Sequence, residues 1–383
     1  MNFFIELFLF SQCIMKVISN VSSEYNHFYF HNIFKNEGTL KTGANSEFFE
    51  TRVKKSIVKN MPLRWTFPID YHIRHDVNRN TVKTALAIIE KETCIRFRET
   101  IYFTNGGLNY VNGSSGCVSY VGKASNGKPQ DILLGTDCNK VTIAIHETCH
   151  ALGVIHEMTR HDRNSYIDIK YKNIDPRVVF NFQPYDLSKA ISYGLKYDFG
   201  SVMHYDRYAG SANELLAMKP KHWSYLKTIG QSTRVAFNDM KQLNLKYCSN
   251  KCRNSKFKCK RGGYPDPNKC TVCKCPEFYT KPLCTKLLPS HKSCGPIRLF
   301  NTKKIDRELT VSGLKTCYYQ ITAPIGRKIR LYIVKTELLN NFVCQKDKGL
   351  EIKFLADKSV SGAMLCGRNS GKIIISQNNI LAM

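Results

Sequence analysis

Long hydrophobic runs and acidic residues are scarce in this sequence of 383 residues. Beyond its first residues, no stretch reaches the roughly 18 uninterrupted apolar residues of a membrane-spanning helix, which argues against a transmembrane span. Apolar residues nevertheless make up 43% of the chain and charged residues 23%, a composition that excludes disordered and fibrous proteins. The length allows two or three domains.

The shortage of acidic residues is concentrated near the end of the chain. Lys and Arg total 57 against 30 Asp and Glu, and residues 251–383 contain 26 basic and 8 acidic residues, a net charge of +18. This imbalance predicts an acidic partner for the tail, such as a sulfated polysaccharide, an anionic membrane or nucleic acid. The alternative is a basic, solubilising surface without a particular partner.

Cysteine, by contrast, is abundant. Ten of the sixteen cysteines lie beyond residue 248, and this density predicts disulfides and an oxidising compartment. Nucleic acid is therefore the least expected of the three partners, and we expect a secreted, extracellular protein.

The beginning of the chain fits secretion in part. Residues 1–19 contain an apolar run of signal-peptide length, although Glu6 interrupts it, so an amphipathic segment or a wrongly assigned start is the alternative. Residues 20–55 are polar and end in a basic cluster, Arg52-Val53-Lys54-Lys55, which predicts a pro-segment removed by proteolysis; an ordinary solvated charge run would look similar.

Three further regions follow. Residues 56–249 predict a mixed α and β domain, with a helix within 81–95, short strands at 101–103 and 118–121, and a buried helix that begins near Val141. Residues 250–285 have too few apolar side chains for a core and must be held by disulfides. Residues 294–383 contain strand-length apolar stretches that predict an all-β module.

The chemically informative motif is HETCHALGVIH at residues 146–156. On a helix, His146 and His150 project from one face and can share one metal ion. Catalytic zinc takes about three protein ligands and leaves a position for water, so a third ligand is needed. Gly153 can end the helix with a positive φ and let His156 approach the metal from another direction.

Glu147 follows the first of these histidines directly. A carboxylate there can take a proton from metal-bound water and pass it to a leaving amine. The pattern H-E-x-x-H-x-x-G-x-x-H, completed by a methionine turn, is a metzincin signature. It predicts one Zn²⁺ per chain and hydrolysis of peptide bonds.

The residues after His156, with Glu157, Arg160 and Asp162-Arg163, resemble the extended motif of the astacin family, and residues 201–205 (SVMHY) resemble its Met-turn. The resemblance implies an α+β metzincin-type peptidase domain with zinc in the cleft between two subdomains. It also implies that Met203 underlies the zinc ligands and that Tyr205 is a catalytic, switchable ligand. Glu157 would interact with the new N-terminal region after activation.

The resemblance extends to an edge strand at 116–122 that would bind extended substrate, and to the tail. Residues 250–285 resemble an EGF-like module, and 294–383 an incomplete CUB-like domain that lacks a terminal strand. A C-x₂-C metal knuckle at Cys270 and Cys273 is the competing interpretation. The implied disulfides are Cys94–Cys248, Cys117–Cys138, Cys252–Cys270, Cys259–Cys273, Cys275–Cys284, Cys294–Cys317 and Cys344–Cys366.

Two features depart from the family pattern. The pro-segment has Arg52 where astacins commonly have a zinc-binding aspartate, and arginine cannot bind zinc. Three alternatives are open: Glu47 or Glu50 binds zinc instead, the precursor is poorly inhibited, or the pro-segment blocks the active site sterically. Cys149 is left over once the seven pairs are made, either as a small buried apolar residue or as an oxidation-sensitive thiol near zinc.

Asn20 and Asn112 each begin an N-x-S sequence and are predicted glycosylation sites. Basic residues beyond the Met-turn, where astacins shape the substrate pocket, predict a preference for acidic substrates; they are Lys219, Lys221, Lys227 and Arg234.

These observations predict a secreted zinc endopeptidase, made as a proenzyme, that acts on protein or peptide substrates. The alternative is a non-catalytic protein that retains the peptidase fold and binds anionic extracellular matrix through its basic tail.

Overall fold

The computed structural model describes residues 12–18, 57–59, 61–113, 116–300 and 307–383. The whole predicted pro-segment, residues 20–55, lies outside these ranges, and with it the predictions on Asn20, Glu47, Glu50 and Arg52. Within them, no helix is long and apolar enough to cross a membrane.

A five-stranded sheet is the frame of the first domain. Its strands are β3 (Ile69–Ile73), β4 (Phe97–Glu99), β5 (Gly107–Val111), β6 (Cys117–Ser119) and β7 (Pro129–Leu134), in the order β4-β3-β5-β7-β6. The first four strands in this order are parallel, and β6 pairs antiparallel with β7 at the edge. This edge strand confirms the strand predicted near residues 118–121.

Two helices pack together beside this sheet. Helix α1 (Arg79–Glu92) begins where the side chain of Asn78 accepts a hydrogen bond from the Thr81 N–H, and it buries Val82, Leu86 and Ile89 at helical spacing. Helix α2 (Val141–Ala151) is mostly buried and carries the histidine motif. Both helices confirm the sequence predictions.

The strand predicted at residues 101–103 is wrong. Residues 97–99 form β4 instead, and the chain then turns, because Oγ1 of Thr100 accepts a hydrogen bond from the N–H of Tyr102. Ile101 and Tyr102 are exposed, so their apolar side chains do not mark a buried strand.

The second half of this domain is mostly irregular. Its elements are the short strands β2 (Ile57–Val58), β8 (Ile167–Ile169), β9 (Ala190–Ile191) and β10 (Met218–Pro220), six 3₁₀ turns between Thr136 and Tyr225, and helix α3 (Phe237–Tyr247). Strand β2 pairs with β9, and β8 pairs with β10. The disulfide Cys94–Cys248 connects the end of α3 to the residues that follow α1.

The next unit, residues 250–287, has only short strands and three disulfides. The strands are β11 (Tyr264–Asp266), β12 (Lys269–Lys274), β13 (Tyr279–Thr280) and β14 (Lys286–Leu287). The pairs Cys252–Cys270, Cys259–Cys273 and Cys275–Cys284 close it. Since Cys270 and Cys273 are both in disulfides, the metal-knuckle interpretation fails here.

The C-terminal unit is built from β-strands. They are β15 (Arg298–Phe300), β16 (Arg307–Ser312), β17 (Gln320–Thr322), β18 (Arg330–Glu337), β19 (Leu350–Ile352), β20 (Ala363–Leu365), β21 (Arg368–Ile375) and β22 (Ile380–Ala382). Disulfides join Cys294 to Cys317 and Cys344 to Cys366. With Cys117–Cys138 in the first domain, the structure contains the seven pairs that the resemblance implies.

One strand of this unit comes from the opposite end of the chain. Strand β1 (Gln12–Ile18) lies between β16 and β18 and pairs antiparallel with both, so the four-stranded order is β16-β1-β18-β21. Cys13 and Met15 are buried there. A segment within the predicted signal peptide thus occupies an inner position of this sheet, and removing residues 1–19 would take the strand away.

The C-terminal unit also packs on the first domain. Arg234 is buried at this junction, where its guanidinium pairs with Glu351 and Glu277 and donates to Oγ of Ser361. The backbone N–H of Ser361 in turn donates to the Asp198 carboxylate. Arg234 is therefore an interdomain contact, which removes it from the basic residues expected to face substrate.

Candidate active site

Helix α2 is fixed against the sheet by hydrogen bonds on its buried side. The hydroxyls of Tyr110 and Thr148 lie 2.8 Å apart, and the Thr148 hydroxyl also donates to the carbonyl oxygen of Ala144. On the edge-strand side, the N–H of Gly122 donates to the carbonyl of His150 at 2.8 Å. These contacts set the height and rotation of the helix, and hence the direction of its two histidines.

Gly153 ends α2 as predicted. Its φ is +88°, its N–H donates to the carbonyl of His150, and the N–H of Val154 donates to the carbonyl of Cys149. This is the Schellman pattern of helix termination. A Cβ at Gly153 would lie 2.8 Å from Sδ of Met61, so a larger residue would disturb the turn that brings His156 back.

The three histidines converge as the sequence predicts. Nε2 of His156 lies 3.2 Å from Nε2 of His146 and 3.2 Å from Nε2 of His150. Nδ1 of His146 faces the carbonyl of Val202 at 2.9 Å, and Nδ1 of His150 faces the carbonyl of Val154 at 2.7 Å. A carbonyl only accepts, so these two Nδ1 atoms carry the proton, and Nε2 is the nitrogen of each ring that can bind a metal.

This spacing fits zinc. With zinc–nitrogen bonds of about 2.0–2.1 Å and tetrahedral angles, ligand nitrogens are about 3.4 Å apart. The His146, His150 and His156 group is the one metal-binding cluster found among the residues that the structure describes. Three imidazoles are the donor set of a catalytic zinc site, in which the fourth position is taken by water or substrate.

Glu147 is buried beside this cluster. Its side chain is 4% exposed, and burial raises the pKa of its carboxyl to about 8. A bound divalent cation acts in the opposite direction, because a nearby positive charge favours the ionised carboxylate. Because burial favours the protonated carboxyl and a cation favours the ionised one, Glu147 is suited to accept a proton and then return it.

The turn at residues 201–205, the predicted Met-turn, contacts the histidine cluster through its backbone. Met203 is fully buried, and its carbonyl accepts the N–H of Glu157, immediately after the third histidine. The carbonyl of Val202, next to it, accepts from the first histidine, His146. Two successive peptide groups of the turn therefore contact both ends of the ligand set.

Sequence reasoning did not identify Asp239, which anchors this turn. Its Oδ1 accepts the hydroxyl of Ser201 at 2.5 Å, and its Oδ2 accepts the N–H groups of Val202 and Ala236 at 2.9 and 2.8 Å. The available signal was an acidic residue in the first turn of α3, but that position usually marks only helix capping.

Tyr205 lies beside the cluster. The centroid of its ring is 4.3 Å from that of His156 and 6.0 Å from that of Phe182. This neighbourhood is compatible with the role that the resemblance implies, which stays a prediction.

Cys149 points into the apolar core between α2 and the sheet and has no exposed surface. The seven disulfides do not include it. Its surroundings favour the interpretation as a small buried apolar residue. Asn112 is half-buried just after β5, and its glycosylation stays a prediction.

Comparisons with known proteins agree with this geometry. The family model for Astacin, a family of peptidases, matches residues 57–248. Zinc metalloproteinase nas-34 of Caenorhabditis elegans is 34% identical over 349 residues, which cover 90% of this chain and 57% of nas-34. Zinc metalloproteinase nas-26 of the same organism is 32% identical over 374 residues, which cover 94% of this chain and 85% of nas-26.

Among solved structures, high choriolytic enzyme 1, a hatching enzyme zinc-protease from Oryzias latipes, is 30% identical with a TM-score of 0.43; the match covers 47% of this chain and 88% of that one. The chain spans about half the length of several curated relatives, for example 44% of nas-30 and 57% of nas-34.

Proposed function

Since this chain belongs to the astacin family of peptidases, we propose that it is a secreted zinc endopeptidase, made as a proenzyme, that cuts extended protein substrates. The observation that carries the proposal is the convergence of three imidazole Nε2 atoms beside the buried carboxyl of Glu147.

His146, His150 and His156 would hold Zn²⁺, which supplies a Lewis acid and lowers the pKa of a bound water. Glu147 would accept the proton of the attacking water and deliver it to the nitrogen of the leaving amine. The hydroxyl of Tyr205 would donate a hydrogen bond to the oxygen of the attacked carbonyl, where negative charge develops.

Strand β6 would bind the substrate. It pairs with β7 on one side and is the last strand of the described sheet, so its other side can pair with an extended peptide. Val118 and Tyr120 are exposed beside it. This arrangement favours unfolded or extended substrates over short peptides.

Activation by cleavage is supported by a cavity next to Glu157. Among the residues that the structure describes, neither polar atom of the buried Asn238 side chain has a hydrogen-bond partner, and Ser192 and Lys196 also line the cavity. Strand β2 pairs with β9 so that Ile57 lies opposite Ile191. Because this pairing is antiparallel, residues just before Ile57 would run toward Ser192, and a new N-terminus created near Arg52–Lys55 would reach the cavity.

The remaining proposals concern location and partners. Seven disulfides fit an oxidising, extracellular compartment. The cysteine pairs of residues 250–285 and 294–383 support EGF-like and CUB-like modules. The net charge of the tail supports contact with anionic extracellular matrix.

The test is cleavage of casein by the processed chain and by its Glu147→Ala variant, with zinc content measured in both. We expect activity only in the parent, at equal zinc content. Activity in both would contradict the role of Glu147. No activity in either, from folded and zinc-loaded protein, would contradict the peptidase proposal and favour the matrix-binding alternative.

A further inference from the structure

The surface beyond the Met-turn is shared by the peptidase domain and the C-terminal unit. Arg207 and Tyr208 follow the catalytic-site residue Tyr205, and a loop of the C-terminal unit packs on them through Phe342. We call Arg207, Tyr208, Lys227, Leu339 and Phe342 the junction surface. Tyr208 and Phe342 remain exposed by 37% and 53% although they contact each other across the two domains, and Leu339, three residues before Phe342, is 53% exposed.

Arg207 fixes the geometry of this surface. Its guanidinium lies 3.9 Å from the ring centroid of Phe342 and 5.4 Å from that of Tyr208, and Nη1 donates to the Phe342 carbonyl at 2.7 Å. The two rings are 5.6 Å apart. The guanidinium of this buried arginine attracts both rings, yet each ring keeps more than a third of its surface exposed and available to a partner.

The surface also contains positive charge without a carboxylate partner. Among the described residues, neither Arg207 nor Lys227 takes part in an ion pair, and Nζ of Lys227 donates to Oδ1 of Asn340 at 2.7 Å. Burial and the charge of Arg207 lower the pKa of Lys227. The nearby carboxylate of Asp206 accepts the N–H of Tyr208. An incoming carboxylate would therefore be attracted to Lys227.

The loop that carries Phe342 is held rigidly. The N–H of Cys344 donates to the carbonyl of Lys227 at 2.9 Å, and the carbonyl of Cys344 accepts the side chain of Gln231 at 2.8 Å. The disulfide Cys344–Cys366 holds the same residue covalently, and on the other side of the loop the N–H of Leu338 donates to the carbonyl of Gly367 at 3.2 Å. These contacts position Phe342 relative to the peptidase domain.

The distance between the histidine cluster and the junction surface determines which substrate residues can contact that surface. The ring of Tyr205 lies beside His156, and Tyr208 follows three residues later, a reach of at most about 10 Å along the chain. An extended peptide advances about 3.3 Å per residue. Substrate residues roughly three to five positions from the cleaved bond can contact the junction surface, and those of a shorter peptide cannot.

We propose that the junction surface is a substrate exosite, to which the C-terminal unit contributes Phe342 and Leu339, and that it binds an acidic residue flanked by apolar residues about three to five positions from the cleaved bond. The proposal rests on the proposed peptidase function and adds to it a substrate class and a role for the C-terminal unit.

The test compares three peptides cleaved by the activated full chain. One is a six-residue peptide centred on the cleaved bond; the second extends it to fourteen residues with Glu and Leu three to five positions away on both sides; the third replaces Glu by Gln. We expect the parent enzyme to have a kcat/KM about ten-fold higher for the second peptide than for the first. The third should lose about half or more of that gain.

The readout is the kcat/KM for the second peptide divided by that for the first. Phe342→Ala should lower this ratio about five-fold. Lys227→Gln should abolish the preference for the second peptide, which contains Glu, over the third, which contains Gln. The matched control is Leu314→Ala, a 98% exposed leucine of the same unit, which should leave the ratio unchanged. Equal ratios in parent and variants would overturn the exosite. No cleavage of any peptide by zinc-loaded enzyme would instead contradict the peptidase function.

Discussion

The histidine cluster and the C-terminal sheet are assembled from the chain in opposite ways. His146, His150 and His156 lie within 11 residues, on one helix and the turn that ends it. In the sheet, Met15 lies opposite Ile333, almost the full length of the chain away. The first arrangement depends on local backbone geometry, and the second on the meeting of distant segments, which costs more chain entropy. We therefore expect the two regions to respond differently to substitution.

The largest effect should come from removing a zinc ligand. His156→Ala should lower peptidase activity by roughly 10³-fold or more, because two imidazoles do not retain a catalytic metal. The measurement is zinc content with casein cleavage. The matched control is His161→Ala, five residues along and exposed. The unfolding of the C-terminal unit should be the same in His156→Ala as in the parent. Full zinc content in His156→Ala would contradict the ligand set.

Loss of the Asp239 carboxylate should affect the same region through its backbone. Asp239→Ala leaves Ser201 and two N–H groups without their acceptor, at about 1–3 kcal/mol each. We expect lower thermal stability and weaker zinc binding, measured by calorimetry and by competition with a chelator. Asp137→Ala, an exposed acidic residue of the same domain, is the control. Unchanged zinc affinity would show that the Met-turn does not need this anchor.

In the C-terminal sheet, Met15→Ala should lower the free energy of unfolding by about 2–5 kcal/mol, because Met15 is 1% exposed in that core. Protease resistance of residues 294–383 in the full chain is the measurement, and Ile325→Ala, at a 96% exposed site, is the control. Zinc content should not change.

The position of β1 also bears on the predicted signal peptide. N-terminal sequencing of the secreted protein would show whether residues 12–18 are retained. A mature chain that begins after residue 19, with a protease-resistant C-terminal unit, would show that β1 is dispensable.

The smallest effect concerns the contact between the two regions. Burial raises the pKa of Asp198 to about 7. The nearby carboxylates of Asp239 and Glu157 also raise this pKa, whereas Lys353 lowers it. The folded state thus holds a proton that the unfolded state releases near its ordinary pKa of about 4. Stability should fall as the pH rises from about 4 to 7 and then level off.

Asp198→Asn should flatten this part of the profile of unfolding temperature against pH. Asp347→Asn, at an exposed position of the C-terminal unit, should leave the profile as it is. A parent and an Asp198→Asn variant with parallel profiles would contradict the assignment.

Much of the active site could be predicted because its signals are local. Helix geometry and the positive φ that glycine tolerates are enough to predict how the i, i+4 histidines, Glu147 and Gly153 are arranged. Asp239 could not be found in this way, because its partners Ser201 and Val202 lie on a distant turn. The false strand at 101–103 arose because exposed apolar residues produce the same pattern as a buried strand.

The sequence by itself predicted the three histidines that converge, the proposed base, the family and the cysteines available for pairing, since each depends on residue types at fixed short spacings. Only the tertiary structure decided that Arg234 is engaged in an interdomain ion pair, that β1 lies within the C-terminal sheet, and that Phe342 lies on Arg207. Those outcomes depend on burial and on contacts between distant segments, which no local pattern of residues encodes.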